Sequence, residues 1–141
     1  MVEALYLFLQ RIGYHHPLHP PLTHLPMGLV MACFIFALLA MLLSQPALLR
    51  SAYHCCLLAV AALVPTVVAG VLDWLHRFGG SMETLIVVKL VLAPVFLLVL
   101  LLALWQARAG ATAGRMLVLY GLATLCAVGL GFSGGELVYG G

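Results

Sequence analysis

Charged side chains are scarce in this sequence. Only 7% of its 141 residues are Asp, Glu, Lys or Arg, whereas 65% are hydrophobic and the mean hydropathy is +1.21. Soluble domains are about half apolar and one quarter charged, so this composition excludes that class. A transmembrane helix takes about 20 residues, and the chain has room for four of them with little left for a soluble catalytic module. The sequence therefore predicts an integral membrane protein.

Several motifs of catalysis and ligand binding are missing as well. There is no CxxC pair and no glycine-rich phosphate loop of the GxGxxG or GxxxxGK[ST] type. The serine in GFSGG, residues 131–135, lies at the end of an apolar run without a matching base, which argues against a hydrolase. The six Lys and Arg residues are scattered singly, so no basic run indicates binding to nucleic acid or anionic lipid. Four cysteines lie in apolar segments, as inert buried thiols do: Cys33, Cys55, Cys56 and Cys126.

Long apolar runs with short connections predict the fold. They indicate four membrane spans over residues 25–43, 51–75, 83–105 and 115–132. Because the connections are short, neighbouring spans should be antiparallel in an up-down-up-down bundle. Pro26 is expected in the opening turn of the first span, where its missing N–H costs nothing. We predict an all-α integral membrane four-helix bundle over residues 18–141, whose fourth span breaks at SGGELVYGG.

Residues 2–12 predict a short amphipathic helix ahead of the bundle. Its apolar residues Leu5, Phe8, Leu9 and Ile12 share one face at helical spacing. At about 1.5 Å per residue, this helix cannot cross about 30 Å of hydrocarbon. Residues 1–17 are therefore predicted to form an interfacial helix and loop that lie on the bilayer or cap the bundle.

The arginines predict an orientation in the membrane. The connections after the first and third spans carry Arg50, Arg108 and Arg115 with no acid between them, whereas Arg11 and Arg77 lie among carboxylates at the other end. The positive-inside rule favours the arginine-only side as cytoplasmic. We expect a multi-pass protein of the bacterial inner membrane with both termini extracytoplasmic.

Most other polar residues fall at the opposite end of the predicted bundle. They are His15, His16, His19, His24, Asp73, His76, Arg77, Glu83, Lys89 and Glu136. His54 is placed near the arginine-only side. It lies 22 residues before His76 on one helix, a separation of roughly 33 Å, so these two histidines cannot share a site.

Small and polar residues share one face of the second span. They are Ala62, Thr66, Gly70, Asp73 and His76, and the fourth span repeats Ala123, Ala127 and Gly131. Such stripes allow close helix packing or leave room for a flat cofactor. At its spacing, Asp73 can accept a hydrogen bond from one ring nitrogen of His76 and leave the other for a ligand. The alternative for this pair is a snorkelling or capping role at the rim of the span.

His19 and His24 lie five residues apart with Pro20 and Pro21 between them. They do not share a regular helical face, unlike the histidines of an HExxH motif. We expect the prolines to present both histidines from an extended loop at the mouth of the bundle.

Two imidazoles facing each other across a bundle interior satisfy the axial positions of a b-type haem. His24 opens the first span and His76 closes the second, so the sequence places both at one depth. The same histidines and His19 are candidate transition-metal ligands, although no thiolate or carboxylate cluster supports a closed zinc site. Alternatively, His24 caps a helix or bonds a loop carbonyl.

The chain carries three distinctive stretches: LHPPLTHLPMGL (18–29), AGVLDWL (69–75) and GFSGGELVYGG (131–141). Together they resemble the pattern of a family of small bacterial four-helix membrane proteins, catalogued as domain of unknown function 2231. The resemblance covers about residues 18–141. Its pattern picks out these positions: His19, Pro20, His24, Pro26, Gly70, Asp73, Trp74, Gly134, Gly135, Leu137, Val138, Tyr139 and Gly141.

The resemblance implies a four-helix fold with a shared polar end. Members are similar to membrane redox subunits or haem-binding proteins, some of which accompany respiratory or periplasmic electron carriers. The third span of the family often begins with a histidine, whereas this chain has Glu83 and Lys89 there. If the family's cofactor uses that position, His76 must substitute for it here, or the cofactor is lost.

The predicted function is binding of haem b near the extracytoplasmic face and electron transfer, with no further catalytic activity. The protein would act as a redox subunit or homo-oligomer, with other membrane subunits or periplasmic electron carriers as partners. His24 is the first choice of axial ligand, and His76 or His19 the second. Asp73 would orient a ligand, and Trp74 would anchor the bundle at the interface.

Two other classes of function fit the same composition. One is a non-catalytic accessory or assembly subunit of a larger membrane complex. The other is a small transporter of ions, metals or solutes, with Asp73, Lys89 and Glu136 as relay groups. The transporter class lacks an inverted repeat in the sequence, although Pro65 and Pro94 interrupt two spans.

Overall fold

The structure is a computed structural model that describes residues 2–139, with side chains as far as Leu137. Within that range the chain forms five helices and no strand: α1 (Val2–Arg11), α2 (His19–Leu42), α3 (Leu48–Arg77), α4 (Thr84–Arg108) and α5 (Ala113–Tyr139). By length and composition, α2 to α5 are each able to cross a membrane. The predicted all-α bundle of four spans, with a short helix ahead of it, is confirmed.

The four long helices pack around one interior in chain order. α3 lies between α2 and α4, and α5 closes the ring against α4 and α2. The Cys33 thiol in α2 lies 3.2 Å from the Ala52 carbonyl near the start of α3. The His19 ring at the start of α2 lies against Gly70 near the end of α3. These two contacts show that α2 and α3 run in opposite directions, as the short connections predicted.

Small side chains let the helices approach closely. The following members of the two predicted stripes are buried: Ala62, Thr66 and Asp73 on α3, and Ala123 and Ala127 on α5. Phe96, Leu100 and Tyr120 fill the wider spaces of the interior and are almost completely buried. Large aliphatic side chains cover the outer surface, where hydrocarbon takes the place of water. The stripes therefore pack helix against helix.

α2 begins at His19, whereas the sequence placed the start of the first span at about residue 25. The predicted extended loop through Pro20 and Pro21 is therefore wrong. Both prolines lie in the first helical turn, which needs no backbone N–H from them. Pro26 lies inside the helix and is buried, instead of opening it. An interior proline leaves the carbonyl four residues earlier without its helical donor, and in α2 that carbonyl belongs to Leu22.

α5 does not break at Ser133 as predicted but continues as a helix through two glycines. Ser133 is buried, and its hydroxyl lies 2.9 Å from the Gly129 carbonyl and 3.1 Å from the Leu130 carbonyl. This bond to the preceding turn satisfies the hydroxyl without ending the helix. Gly134 faces α4, where a Cβ atom would lie 3.3 Å from the Lys89 ammonium. α5 and the Lys89 side chain of α4 are therefore in close contact at this glycine.

Candidate functional site at the polar end of the bundle

The starts of α2 and α4 and the ends of α3 and α5 meet at one end of the bundle, which we call the polar end. Asp73 of α3 lies there and is only 5% exposed. Its carboxylate accepts hydrogen bonds from the backbone N–H of Leu18 at 3.1 Å, from the N–H of His19 at 2.7 Å, and from the Tyr6 hydroxyl. A carboxylate is tolerated in a buried position when donors replace its water in this way.

The bonds to Asp73 complete the N-terminus of α2. The first four N–H groups of a helix have no partner within the helix. In α2 these positions are Leu18, His19, Pro20 and Pro21. The two prolines carry no N–H, and Asp73 accepts the other two groups. The HPP sequence and Asp73 thus form one cap, which joins α2 to α3.

Thr66 of α3 supplies the donor that Pro26 removes from α2. Its hydroxyl lies 3.2 Å from the Leu22 carbonyl and 2.8 Å from the Ala62 carbonyl of its own helix. The single hydroxyl proton is shared between these acceptors. Because the lipid core supplies no water, a carbonyl without a donor is costly there. The contact with Thr66 is how α2 accommodates an interior proline.

The His19 side chain packs against α3 at Gly70. Nδ1 lies 2.9 Å from the Thr66 carbonyl, and since a carbonyl only accepts, Nδ1 carries the proton. A Cβ atom on Gly70 would come within 2.9 Å of Nδ1. Nε2 keeps its lone pair and has no hydrogen-bond partner among the described residues. Among the described residues, the Tyr120 hydroxyl is the one side-chain polar atom that is both fully buried and unpaired. The unpaired Nε2 of His19 therefore keeps some exposed surface.

His76 is held by α1 rather than by Asp73. Its ring stacks on Tyr6, with centroids 3.9 Å apart and planes 6° apart, and its Nδ1 lies 3.2 Å from a Glu3 carboxylate oxygen. Burial, with the hydrogen bond to Asp73, raises the pKa of the Tyr6 hydroxyl well above its usual range, so this group remains a donor. The predicted hydrogen bond between Asp73 and His76 is not formed, because each residue contacts Tyr6 instead.

Two further side chains hold connecting segments at the polar end. The Arg77 guanidinium donates to the His15 carbonyl at 3.0 Å, which attaches the segment between α1 and α2. The Trp74 ring N–H donates to the Ser81 carbonyl at 2.8 Å, across the turn between α3 and α4. Trp74 therefore closes this turn. Its role as an interfacial anchor stays a prediction.

His24 lies on the outside of the bundle. It is exposed and shares one exposed stripe of α2 with Gly28, Met31 and Ile35, at spacings of four, three and four residues. His19 faces α3, whereas this stripe faces outward. The structure therefore does not bring His24 and His76 together across the interior, as the sequence suggested.

Lys89 adds a positive charge to the polar end. It is half-buried on α4, and it is close enough to Asp73 and His19 for its charge to act on both. Within the described part of the chain, no carboxylate forms an ion pair with Lys89. Ionisable groups in membrane-spanning helices are normally paired. Lys89 is therefore suited to bind an anionic group.

The predicted histidine ligands do not form a closed metal site. Among the described residues, no group of three or more His, Cys, Asp or Glu side chains is placed to hold an ion. His19 lies against α3, His24 on the outer face and His76 against α1. A histidine whose Nδ1–H bonds a backbone carbonyl is the usual arrangement for an imidazole that ligates through Nε2. The His19 ring has this arrangement, whereas the predicted pair of His24 and His76 is not formed.

Two residues that organise the polar end, Tyr6 and Thr66, were missed or undervalued in the sequence. No pattern in α1 marks Tyr6 as the residue that meets Asp73. Thr66 counted only as a small member of a stripe. A proline inside one span and a hydroxyl residue on the next span were the available signal. Recognising Pro26 as an interior residue, however, requires knowing that α2 begins before residue 25.

Nearly the whole bundle is similar to one described protein family. A family profile described as "Predicted membrane protein (DUF2231)" matches residues 15–141. No curated protein and no solved structure matches the chain. Of the closing motif within the matched region, Gly141 and the side chains of Val138 and Tyr139 lie outside the described residues.

Proposed function

The chain belongs to the DUF2231 family of predicted membrane proteins, and from this premise we propose that it is a membrane redox subunit that binds haem b through His19. The observation that carries the proposal is the fixed His19 ring. Its Nδ1–H bonds the Thr66 carbonyl, its edge lies against Gly70, and its Nε2 has no partner among residues 2–137. The family description itself names no activity, so the proposal depends on this histidine.

Haem b, when bound, supplies the one-electron chemistry. The contribution of the chain is to orient the imidazole in advance. A hydrogen bond from Nδ1–H to a backbone carbonyl sets the ring orientation and increases the basicity of Nε2. Asp73 holds the backbone N–H of the same residue, so both ends of His19 are attached to α3.

Lys89 supports the assignment through its charge. A b-type haem carries carboxylate side chains, which are stabilised by charge-assisted hydrogen bonds. Lys89 lies at the same end as His19 and has no carboxylate partner among residues 2–137. We assign it to a haem carboxylate. Lys89→Gln is then expected to weaken haem retention without removing an axial ligand.

The second axial position has two candidates. His76 lies at the same end within the chain, but it must leave its stack with Tyr6 to serve. His24 faces outward, so it would serve a haem that lies between two copies of the chain. A homo-oligomer held by haem is the proposed state in the second case. Loss of the haem spectrum in His24→Ala, but not in His76→Ala, would indicate it.

Optical spectra of the purified protein, expressed with an adequate supply of haem, test the proposal. The wild type is expected to show a Soret band, and His19→Ala is expected to lose it. His54→Ala, at the opposite end of the bundle, is the matched control and should keep the band. A wild-type protein without a Soret band or bound iron overturns the proposal. An unchanged spectrum in His19→Ala removes His19 from it.

A second candidate is an accessory subunit without chemistry of its own. This function is favoured by the contacts of four polar-end residues, which hold α1 and the connecting segments. These residues are Asp73, Trp74, His76 and Arg77. Such contacts stabilise the bundle and leave few groups for a substrate. A colourless protein that copurifies with other membrane subunits would favour this function over haem binding.

We place the protein in the bacterial inner membrane, with the polar end and both termini extracytoplasmic. The end of α4 and the starts of α3 and α5 carry Arg50, Arg108 and Arg115, and the positive-inside rule assigns such an end to the cytoplasm. In this orientation His19 lies at the periplasmic end of the bundle. Its proposed redox partners are periplasmic electron carriers or other membrane subunits.

A further inference from the structure

A cavity of about 370 Å³ lies at the end of the bundle opposite the polar end, which we call the arginine end. Arg50, Tyr53 and His54 of α3 and Arg108 of α4 line it. The sequence contains no basic run, yet the antiparallel packing of α3 and α4 brings these two arginines to one cavity. Its volume is within the usual range for small-ligand sites, about 300–1,000 Å³.

The charge around this cavity is of one sign. The four acidic residues of the chain are Glu3, Asp73, Glu83 and Glu136, and all belong to α1 or to the polar end. No carboxylate side chain is therefore available at the arginine end to neutralise Arg50 or Arg108. Arg50 and Arg108 are both cationic residues. The cavity suits an anion.

Arg108 is positioned before any ligand arrives. Its Nε–H donates to the Tyr53 hydroxyl at 3.0 Å, and its guanidinium carbon lies 5.8 Å from the centre of the Tyr53 ring. The His54 ring meets the same tyrosine edge-on, at 5.6 Å between centroids. Nε is used by Tyr53, and the two terminal nitrogens have no hydrogen-bond partner among the described residues. These are the donors that bind a phosphate in the bidentate manner.

The remaining wall of the cavity is apolar. Leu49, Ala107 and Met116 contribute it. A small inorganic anion gains nothing from such a wall, whereas a phospholipid places its glycerol and upper acyl carbons beside its phosphate. The arginine end also lies where long apolar helices stop, which is the level of lipid headgroups.

We propose that this cavity binds a phosphate group, supplied by an anionic phospholipid whose headgroup lies between Arg50 and Arg108. The site is distinct from the polar end and does not depend on haem binding. Each arginine makes a charge-assisted contact with the phosphate, and the apolar wall receives the adjoining glycerol and acyl carbons.

Native mass spectrometry of delipidated protein in non-ionic detergent tests the proposal, with phosphatidylglycerol, phosphatidylcholine and inorganic phosphate as separate probes. The wild type should retain phosphatidylglycerol in preference to phosphatidylcholine. Arg50→Gln and Arg108→Gln should each weaken its binding by roughly tenfold, the size of one lost charge-assisted hydrogen bond. Arg115→Gln is the matched control, because Arg115 lies at the same end but donates to Gln106 outside the cavity. This control should bind like the wild type.

Two results would overturn the proposal. Equal losses in all three arginine variants would show a diffuse charge effect rather than a site. Arginine-dependent binding of inorganic phosphate without retention of phosphatidylglycerol would remove the lipid. Circular dichroism of each variant confirms the fold, and Arg108→Lys provides a charge-conserving variant that should keep part of the affinity if Arg108→Gln does not fold.

Discussion

The Asp73 carboxylate lies 2.7 Å from the backbone nitrogen of His19, which precedes it by 54 residues. This single contact joins the start of α2 to the end of α3. It also fixes the backbone of the histidine whose ring is our proposed haem ligand. Several measurable consequences come from this contact and from its neighbours at the polar end and in the core.

Replacing Asp73 with Asn should destabilise the bundle. Asn has the same shape but only one accepting oxygen, so it cannot accept from Leu18, His19 and Tyr6 together. The expected loss is roughly 2 kcal/mol, the scale of a hydrogen bond to a charged group with a donor left unpaired. Unfolding in mixed micelles measures it, and the exposed Glu136→Gln is the control. Equal stability of the two variants would contradict the capping role.

Replacing Thr66 with Val should remove the donor to the Leu22 carbonyl. The side-chain volume is nearly unchanged, so the expected loss of about 1 kcal/mol reports the hydrogen bond between helices. Thr124→Val is the matched control. Its hydroxyl donates to the Tyr120 carbonyl within its own helix at 2.8 Å. No proline deprives that carbonyl of its helical donor, so loss of the hydroxyl should cost less than it does at Thr66. The same unfolding assay should separate the two variants.

Gly70→Ala and Gly131→Ala should differ although both add one methyl group in a crowded place. At Gly70 the new Cβ meets the His19 ring. This ring is bonded through Nδ1 to the Thr66 carbonyl, and the backbone N–H of His19 is bonded to Asp73. At Gly131 it meets the terminal methyl of Met27, which is flexible and moves at little cost. Overpacking at Gly70 should cost about 1–3 kcal/mol. Gly131→Ala should be nearly neutral, and the reverse order would contradict the fixed position of His19.

Tyr120→Phe should stabilise the protein. Tyr120 is fully buried, and its hydroxyl has no hydrogen-bond partner among the described residues. Removing an unpaired buried donor should increase the free energy of unfolding by about 1–2 kcal/mol. Tyr53→Phe is the comparison, since that hydroxyl accepts from Arg108 and its removal should bring no gain. A loss of stability in Tyr120→Phe would show that the hydroxyl is paired in the membrane.

Fusions at the C-terminus test the proposed orientation. If the polar end faces the periplasm, a C-terminal alkaline phosphatase is active and a C-terminal green fluorescent protein is dark. Fusions at Gly110, in the connection between α4 and α5, should give the opposite pattern. The reversed pair of results would move His19 to the cytoplasmic side and with it the expected electron carriers.

The general fold was predictable because the membrane imposes it. Four apolar runs with short connections leave few arrangements, and the small-residue stripes indicated which faces pack. The site was less predictable because its contacts join residues far apart in the chain. The position of His24 along the membrane normal could be predicted from its place in the sequence. The helix face on which it lies could not, because that depends on how α2 packs and where it begins. That start depends on Asp73, 55 residues after Leu18, which no local pattern shows.

The contacts of Thr66 and Asp73 with α2 also have a consequence for biogenesis. During synthesis, α2 emerges before α3. At that stage α2 has two N–H groups without acceptors at its start, and Pro26 leaves one of its carbonyls without a donor. The residues that satisfy them, Thr66 and Asp73, belong to the later half of α3. An α2 segment alone in lipid is thus left with unpaired backbone groups until α3 arrives. The two helices are best regarded as a hairpin whose insertion is completed together.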